Sequence, residues 1–298
     1  MNVMRRFAFS HLIAFLVLPA FVLAARTPAI SSPRRIVSLA PSVTETLFAL
    51  GANDRLVGVT TYCDYPPAAK RLPKIGTFMN PNVELVVAQR PDLVIAVPER
   101  ADREKLGILE QVGLKVLVLR VSNLSEVLGA IRALAQLTER REQGERLIRA
   151  IESEIHAVRR RIDGAVRRRV LMLVGTNPLV AVGPGSYVDE LIRLAGGENV
   201  AGSAGVPWPL VNVEFVLTQA PEVIIEAGMG SERGQAAQRW ANLDGIPAVK
   251  NGRVVSYVSD KILRPGPRAG EALGEIARLI HPECFADSRS TRERCAHP

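Results

Sequence analysis

Asn82-Val83-Glu84-Leu85-Val86-Val87-Ala88-Gln89-Arg90-Pro91-Asp92-Leu93-Val94-Ile95 recurs without gaps as Asn212-Val213-Glu214-Phe215-Val216-Leu217-Thr218-Gln219-Ala220-Pro221-Glu222-Val223-Ile224-Ile225, an offset of 130 residues. Each copy reads as a short helix with a glutamate near its start, a stop before proline, and an apolar strand. Solenoid repeats have much shorter periods, so a repeat this distant predicts two similar lobes. A two-lobed chain places its ligand in the cleft between them.

Working outward, Arg35 to Ala40 reads as a buried strand that runs into a helix beginning near Pro41 and stopping at Gly51. Ser42 and Glu45 have the spacing of a capping box there. Leu56 to Thr60, Leu93 to Val97 and Val116 to Arg120 are further strand-like runs, separated by segments of helical period. From about Ser125 the pattern becomes a long charged helical stretch. Its stripe of Leu147, Ile151, Ile155, Val158 and Ile162 fits a helix that leaves one domain and enters another, or a surface helix within one. A second series begins at Val170 to Val174 and continues through Val223 to Ile225 and Val254 to Val258. Strands alternating with helices predict an α/β fold of two Rossmann-like lobes, each with a central parallel sheet. The expected division is residues 35–140 for the N-terminal lobe, 141–164 for the linking helix, 165–283 for the C-terminal lobe, and a disordered polar tail at 284–298.

At the N-terminus, Arg5 and Arg6 precede an apolar run from Phe7 to Leu18, and Val22-Leu23-Ala24 has the small-residue pattern of a cleavage site. The run is shorter than the roughly 18 to 20 residues a membrane span needs. Residues 1–24 therefore read as a cleavable signal peptide, with no cysteine near the cut to carry a lipid, and the mature protein is expected in the periplasm. The formal net charge is +8, but the arginines are scattered, and an exported chain is not expected to meet nucleic acid. Of the three cysteines, Cys284 and Cys295 could pair, leaving Cys63 to be read as a free buried thiol ahead of a metal ligand.

No GxSxG elbow, P-loop, HExxH or paired CxxC is present, so the chain is expected not to be an enzyme. His11, His156, His281 and His297 form no ligand set, and no metal or cofactor is expected. Gly183-Pro184-Gly185 reads as a strand-to-helix turn ahead of a phosphate cradle.

Several segments carry a likeness. They are Arg35-Ile36-Val37-Ser38-Leu39-Ala40-Pro41-Ser42-Val43-Thr44-Glu45, Tyr62-Cys63-Asp64-Tyr65-Pro66-Pro67-Ala68, Leu194-Ala195-Gly196-Gly197-Glu198-Asn199, Val206-Pro207-Trp208-Pro209, and Asp260 with Arg264-Pro265-Gly266-Pro267-Arg268. In order, from about Arg35 to Leu279, the chain resembles the BtuF family of vitamin B12-binding proteins, substrate-binding proteins of ABC importers with a helical backbone. The resemblance implies lobes joined by a single long helix, limited closure, and a monomer that docks on a membrane permease with its ATPase subunits. The implied ligand is cobalamin or a related corrinoid, carried as cargo. Tyr62, Phe78, Trp208, Asp260 and Arg264 would line the cleft, and Glu84 and Glu214 would meet arginines on the permease. Phe78 stands where the family has Trp, Val180 where it has Phe, and Ala195 occupies a position of the family's disulfide.

A corrin is a broad apolar-faced macrocycle edged with amides, so aromatic walls with a few polar groups complement it. Haem or an iron siderophore is the rival ligand on the same fold. Arg264 and Arg268 would pair with propionates or catecholates there, and Tyr62 or Tyr65 would ligate iron. A remoter rival, an α/β enzyme, needs a nucleophile paired with a base. Each candidate also has a plain structural role. Tyr62 and Trp208 could pack a core, Asp260 and Arg264 could form a surface pair of about 0 to 1 kcal/mol, and Glu84 and Glu214 could favour a helix dipole by about 0.3 to 1 kcal/mol.

Overall fold

The computed structural model describes residues 32–97, 103–227 and 236–286. The expected signal peptide, Cys295 and the tail from residue 287 lie outside the described residues.

The first strand, β1 (Ile36–Ser38), is wholly buried and leads into α1 (Pro41–Ala49). Pro41 starts this helix because its fixed φ suits the first turn and its missing N–H would have had no partner there. The N-cap is Ala40, with no side-chain cap, so the expected Ser42–Glu45 capping box does not form. Both residues lie inside the helix and are buried, and Glu45 has other partners, described below.

The N-terminal sheet continues with β2 (Leu56–Val59), β3 (Leu93–Ala96) and β4 (Val116–Val118), all parallel in the order β2-β1-β3-β4. Its helices are α2 (Val83–Ala88), α3 (Arg103–Gln111) and α4 (Leu124–Leu137), and α5 (Arg141–Arg161) then crosses to the second lobe. Alternate residues of the strands serve two cores. Ile36 and Ile95 pack with Leu47 on one face, and Val37 and Val94 pack with Ile75 and Leu109 on the other.

The second sheet comprises β5 (Arg168–Thr176), β6 (Leu179–Ala181), β7 (Gly197–Asn199), β8 (Val223–Glu226) and β9 (Val254–Ser256). Strands β7, β8 and β9 are parallel to their neighbours, while β6 runs antiparallel to the end of β5. The helices are α6 (Tyr187–Leu194), α7 (Val213–Gln219), α8 (Ala236–Trp240), α9 (Pro247–Lys250) and α10 (Ala269–Ile280).

The charged stretch from Ser125 divides into two helices, α4 and α5. The Thr138 hydroxyl donates back to the Leu134 carbonyl at 2.7 Å, and Glu139 turns left-handed at φ 60°, which ends α4 before α5 begins. The two helices then pack closely. A Cβ on Gly144 would sit 2.4 Å from the Ala135 Cβ, so only glycine permits this approach. Along α5 the predicted stripe holds. Ile151 and Ile162 are buried, and Leu147, Ile155 and Val158 pack against the same core.

That core joins the lobes. Val121, Leu124, Val127 and Ile131 share one buried cluster with Met172, Leu191, Leu273 and Ile276. Domains move freely where their interface is small and polar; this one is continuous apolar packing.

Candidate functional site

Ligands of open α/β sheets bind outside the carboxyl ends of the parallel strands, and the loops after β2 and β9 carry four of the expected residues. After β2, Thr61 N–H donates to the Gly76 carbonyl at 2.9 Å, tying the Tyr62 loop to the turn that carries Phe78. The two rings meet edge to face, with centroids 5.4 Å apart. Tyr62 remains 43% exposed, so this pair is a surface wall and not core. Tyr65 is equally open, with the Arg268 guanidinium stacked 4.0 Å from its ring centre.

Beneath that wall lies a cluster of charges drawn from both lobes. Arg264, after β9, donates to Glu45 Oε1 at 2.8 Å, to the Tyr62 carbonyl at 3.1 Å, and to Asp64 Oδ1 at 2.8 Å. It also pairs with Asp260. Arg268 grips the same glutamate in a fork, Nε to Oε2 at 2.8 Å and Nη2 to Oε1 at 2.7 Å. Burial lowers the pKa of both guanidiniums, but their carboxylate partners outweigh it and the net shift is upward. Arg264, expected on the cleft wall, is therefore beneath it, only 7% exposed. Glu45 is the residue that sequence reasoning missed, because its spacing from Ser42 suggested a cap and nothing local pointed to partners some 220 positions away.

The C-terminal lobe contributes Trp208. Its segment is zipped to the edge of β6: Ala181 N–H donates to the Pro209 carbonyl at 2.9 Å, Gly183 N–H to that of Pro207 at 2.8 Å, and Val211 N–H to that of Leu179 at 3.0 Å. A Cβ on Gly183 would lie 2.1 Å from the Val206 carbonyl oxygen, so the segment can seat only against glycine. Trp208 is half-buried against the lobe's core, beside the strongly exposed Leu210, which bridges to Val180. Tyr62, Phe78, Asp260 and Arg264 thus form one contiguous set, and Trp208 is carried separately.

Residues 36–260 match the model of the periplasmic binding protein family. The chain belongs to that family. It is 33% identical over 246 residues to the vitamin B12-binding protein of Salmonella choleraesuis strain SC-B67, covering 83% of this chain and 90% of the relative. Among solved structures it is similar to the vitamin B12-binding protein BtuF of Vibrio cholerae, with TM-score 0.76, 28% identity, and coverage of 84% and 98% of the two chains. It is equally similar, at TM-score 0.76 and 29% identity, to the heme-binding protein RhuT of Roseiflexus sp. RS-1, covering 84% and 99%. These relatives are binding proteins, not enzymes.

In this periplasmic binding protein the repeat is built the same way twice. Asn82 caps α2 by accepting the Leu85 N–H at 2.8 Å, and Asn212 caps α7 by accepting the Phe215 N–H at 2.8 Å. Glu84 and Glu214 follow in the first turns, both exposed. Leu85 and Val87 beside the first, and Val213 and Leu217 beside the second, are exposed apolar side chains.

Three other candidates resolve as structural. Cys63 is a free thiol, 1% exposed, between the hydroxyls of Thr44 at 3.2 Å and Thr60 at 3.1 Å, as the buried reading has it. The glycine turn at 183–185 leads into α6, which Ser186 caps through the Asp189 N–H at 3.1 Å. A cavity of about 430 Å³ beside it, lined by Arg167, Asp189, Arg193 and Asn199 among others, shares no residue with the cleft set, and its Arg193 is paired with Asp189 at 3.2 Å. His281, Glu283 and Cys284 bring donor atoms within 4.8 Å, but Cys284 is disulfide-bonded, and His281 spans Glu283 and the Gly196 carbonyl. Residues 284 and 285, expected in the polar tail, belong to a 3-10 turn at Pro282–Phe285, with Phe285 under Arg161 and Arg278.

Proposed function

We propose that this protein is the carrier of an ABC importer for cobalamin or a related corrinoid, exported to the periplasm by cleavage after Ala24. The ligand sits in the inter-lobe cleft against Tyr62, Phe78 and Trp208, with Asp260 accepting from the amides at its edge. Arg264 acts from below, holding Asp260 and the Tyr62 backbone in place. Glu84 and Glu214 are the feet on which the loaded protein stands on the permease.

One observation supports a corrinoid over haem. Both arginines that would pair with propionates are already committed, Arg264 to Glu45, Asp64 and Asp260, and Arg268 to Glu45. Lys261, the next cation along, is held by Glu271 at 2.8 Å and Glu275 at 2.6 Å. The amide-edged corrin requires no free cation, only the aromatic faces. The haem reading draws on Tyr62 and Tyr65, exposed phenols able to ligate iron. Titrating the purified protein with cyanocobalamin, haemin and a ferric siderophore, each followed by its own absorbance, separates them. Saturable cobalamin binding with haemin at least tenfold weaker is expected; the reverse order overturns the corrinoid reading.

A further inference from the structure

Glu45 lies in the first helix of one lobe, and both guanidiniums it holds belong to the other, so a single carboxylate ties the lobes together. Its side chain is 1% exposed and spends both oxygens on these contacts. Counting the remaining partners, three carboxylates (Glu45, Asp64 and Asp260) surround two guanidiniums, so the set as a whole is negative by one charge. Tyr62 rests directly on this set through its carbonyl, and Tyr65 through its ring, so the aromatic wall and the charge beneath it are one unit.

We propose that Glu45 sets the charge selectivity of the cleft: by holding Arg264 and Arg268 it withholds both guanidiniums from the ligand, and the site admits an uncharged or zwitterionic macrocycle while rejecting one that carries carboxylates. The proposal rests on the cleft being the ligand site. It makes Glu45 a positioning residue, out of contact with the ligand and acting through the two arginines. A charge change of one unit close to a partly desolvated site alters the affinity for a charged ligand strongly and for a neutral one weakly.

The test compares the parent protein with Glu45→Gln, which keeps the shape and removes the charge, by absorbance titration with cyanocobalamin and with haemin. The haemin affinity, taken relative to cyanocobalamin, should rise by about tenfold or more in the variant. Peptide mapping after phenylglyoxal treatment should show Arg264 and Arg268 protected in the parent and modified in the variant. An affinity ratio that does not move in folded Glu45→Gln overturns the proposal, whatever the labelling. Should that variant not fold, Asp64→Asn, at an exposed position that frees one contact of Arg264, should raise the ratio by about two- to threefold, and no change there overturns it equally. A parent that binds neither ligand sinks the cleft reading instead. The proposal falls with that reading.

Discussion

The α2–β3 unit of the N-terminal lobe and the α7–β8 unit of the C-terminal lobe are wired alike down to single hydrogen bonds. Each begins with an asparagine cap and a first-turn glutamate, and each ends in a left-handed residue that is not glycine, Arg90 at φ 45° and Ala220 at φ 42°. Such residues are uncommon, and both are held from outside by an arginine at the start of the central strand. Arg35 donates to the Gln89 carbonyl at 2.6 Å, and Arg169 to that of Gln219 at 2.6 Å. Next along, Asp92 accepts the Arg35 N–H at 3.1 Å, and Glu222 accepts the Arg169 N–H at 2.8 Å. The exposed aromatic segments show no such correspondence: the N-terminal lobe carries the Tyr62–Phe78 pair, the C-terminal lobe Trp208 beside Val180 and Leu210. Duplicated parts suit a two-fold partner, and unlike parts suit a ligand without that symmetry.

Removing both glutamates together is the largest test of that division. Glu84→Ala with Glu214→Ala should abolish transport and permease docking, more severely at higher salt, while ligand affinity and melting temperature stay near the parent's. Normal transport by the double variant, or loss of ligand binding, returns both residues to helix-dipole stabilisation.

On the unlike side, Trp208→Ala should weaken ligand binding by about 1 to 3 kcal/mol, with little loss of stability, since the ring is only half-buried. Calorimetric melting alongside titration checks this. A large drop in melting temperature with unchanged affinity would make Trp208 a core residue.

The asparagine caps sharpen the comparison further. Asn82→Ala and Asn212→Ala should each cost about 0.5 to 2 kcal/mol in denaturant unfolding, and by similar amounts, because the caps have the same geometry. A clear inequality would show that the matched wiring does not carry matched energy.

The smallest effect concerns the strap at the end of the C-terminal lobe. Burial raises the Glu283 carboxyl, but its backbone, His281 and Arg168 outweigh this and leave it below its ordinary 4.5. A depressed carboxyl stabilises the fold above 4.5, and that contribution disappears as pH falls through the lowered value. Glu283→Gln should therefore flatten the decline of melting temperature below about pH 4.5. An acid slope identical to the parent's would remove Glu283 from the acid response.

Much of this molecule was written locally. Short apolar runs located seven of the strands, and helical spacing located the stripe of α5, because burial on both sheet faces and along one helix face leaves its mark in the local order of residues. Strands β6 and β7 were not legible: Gly197-Glu198-Asn199 has no β-branched residue and pairs because it lies beside β5. The repeat alone determined that there are two lobes with a glutamate at the head of one helix in each, since equal local sequence builds equal local structure. Tertiary structure alone decided what Glu45 and Arg264 do. Their charges belong to residues more than two hundred positions apart, and whether an ion pair faces ligand or core depends on which lobe surfaces meet, a relation that neither segment encodes by itself.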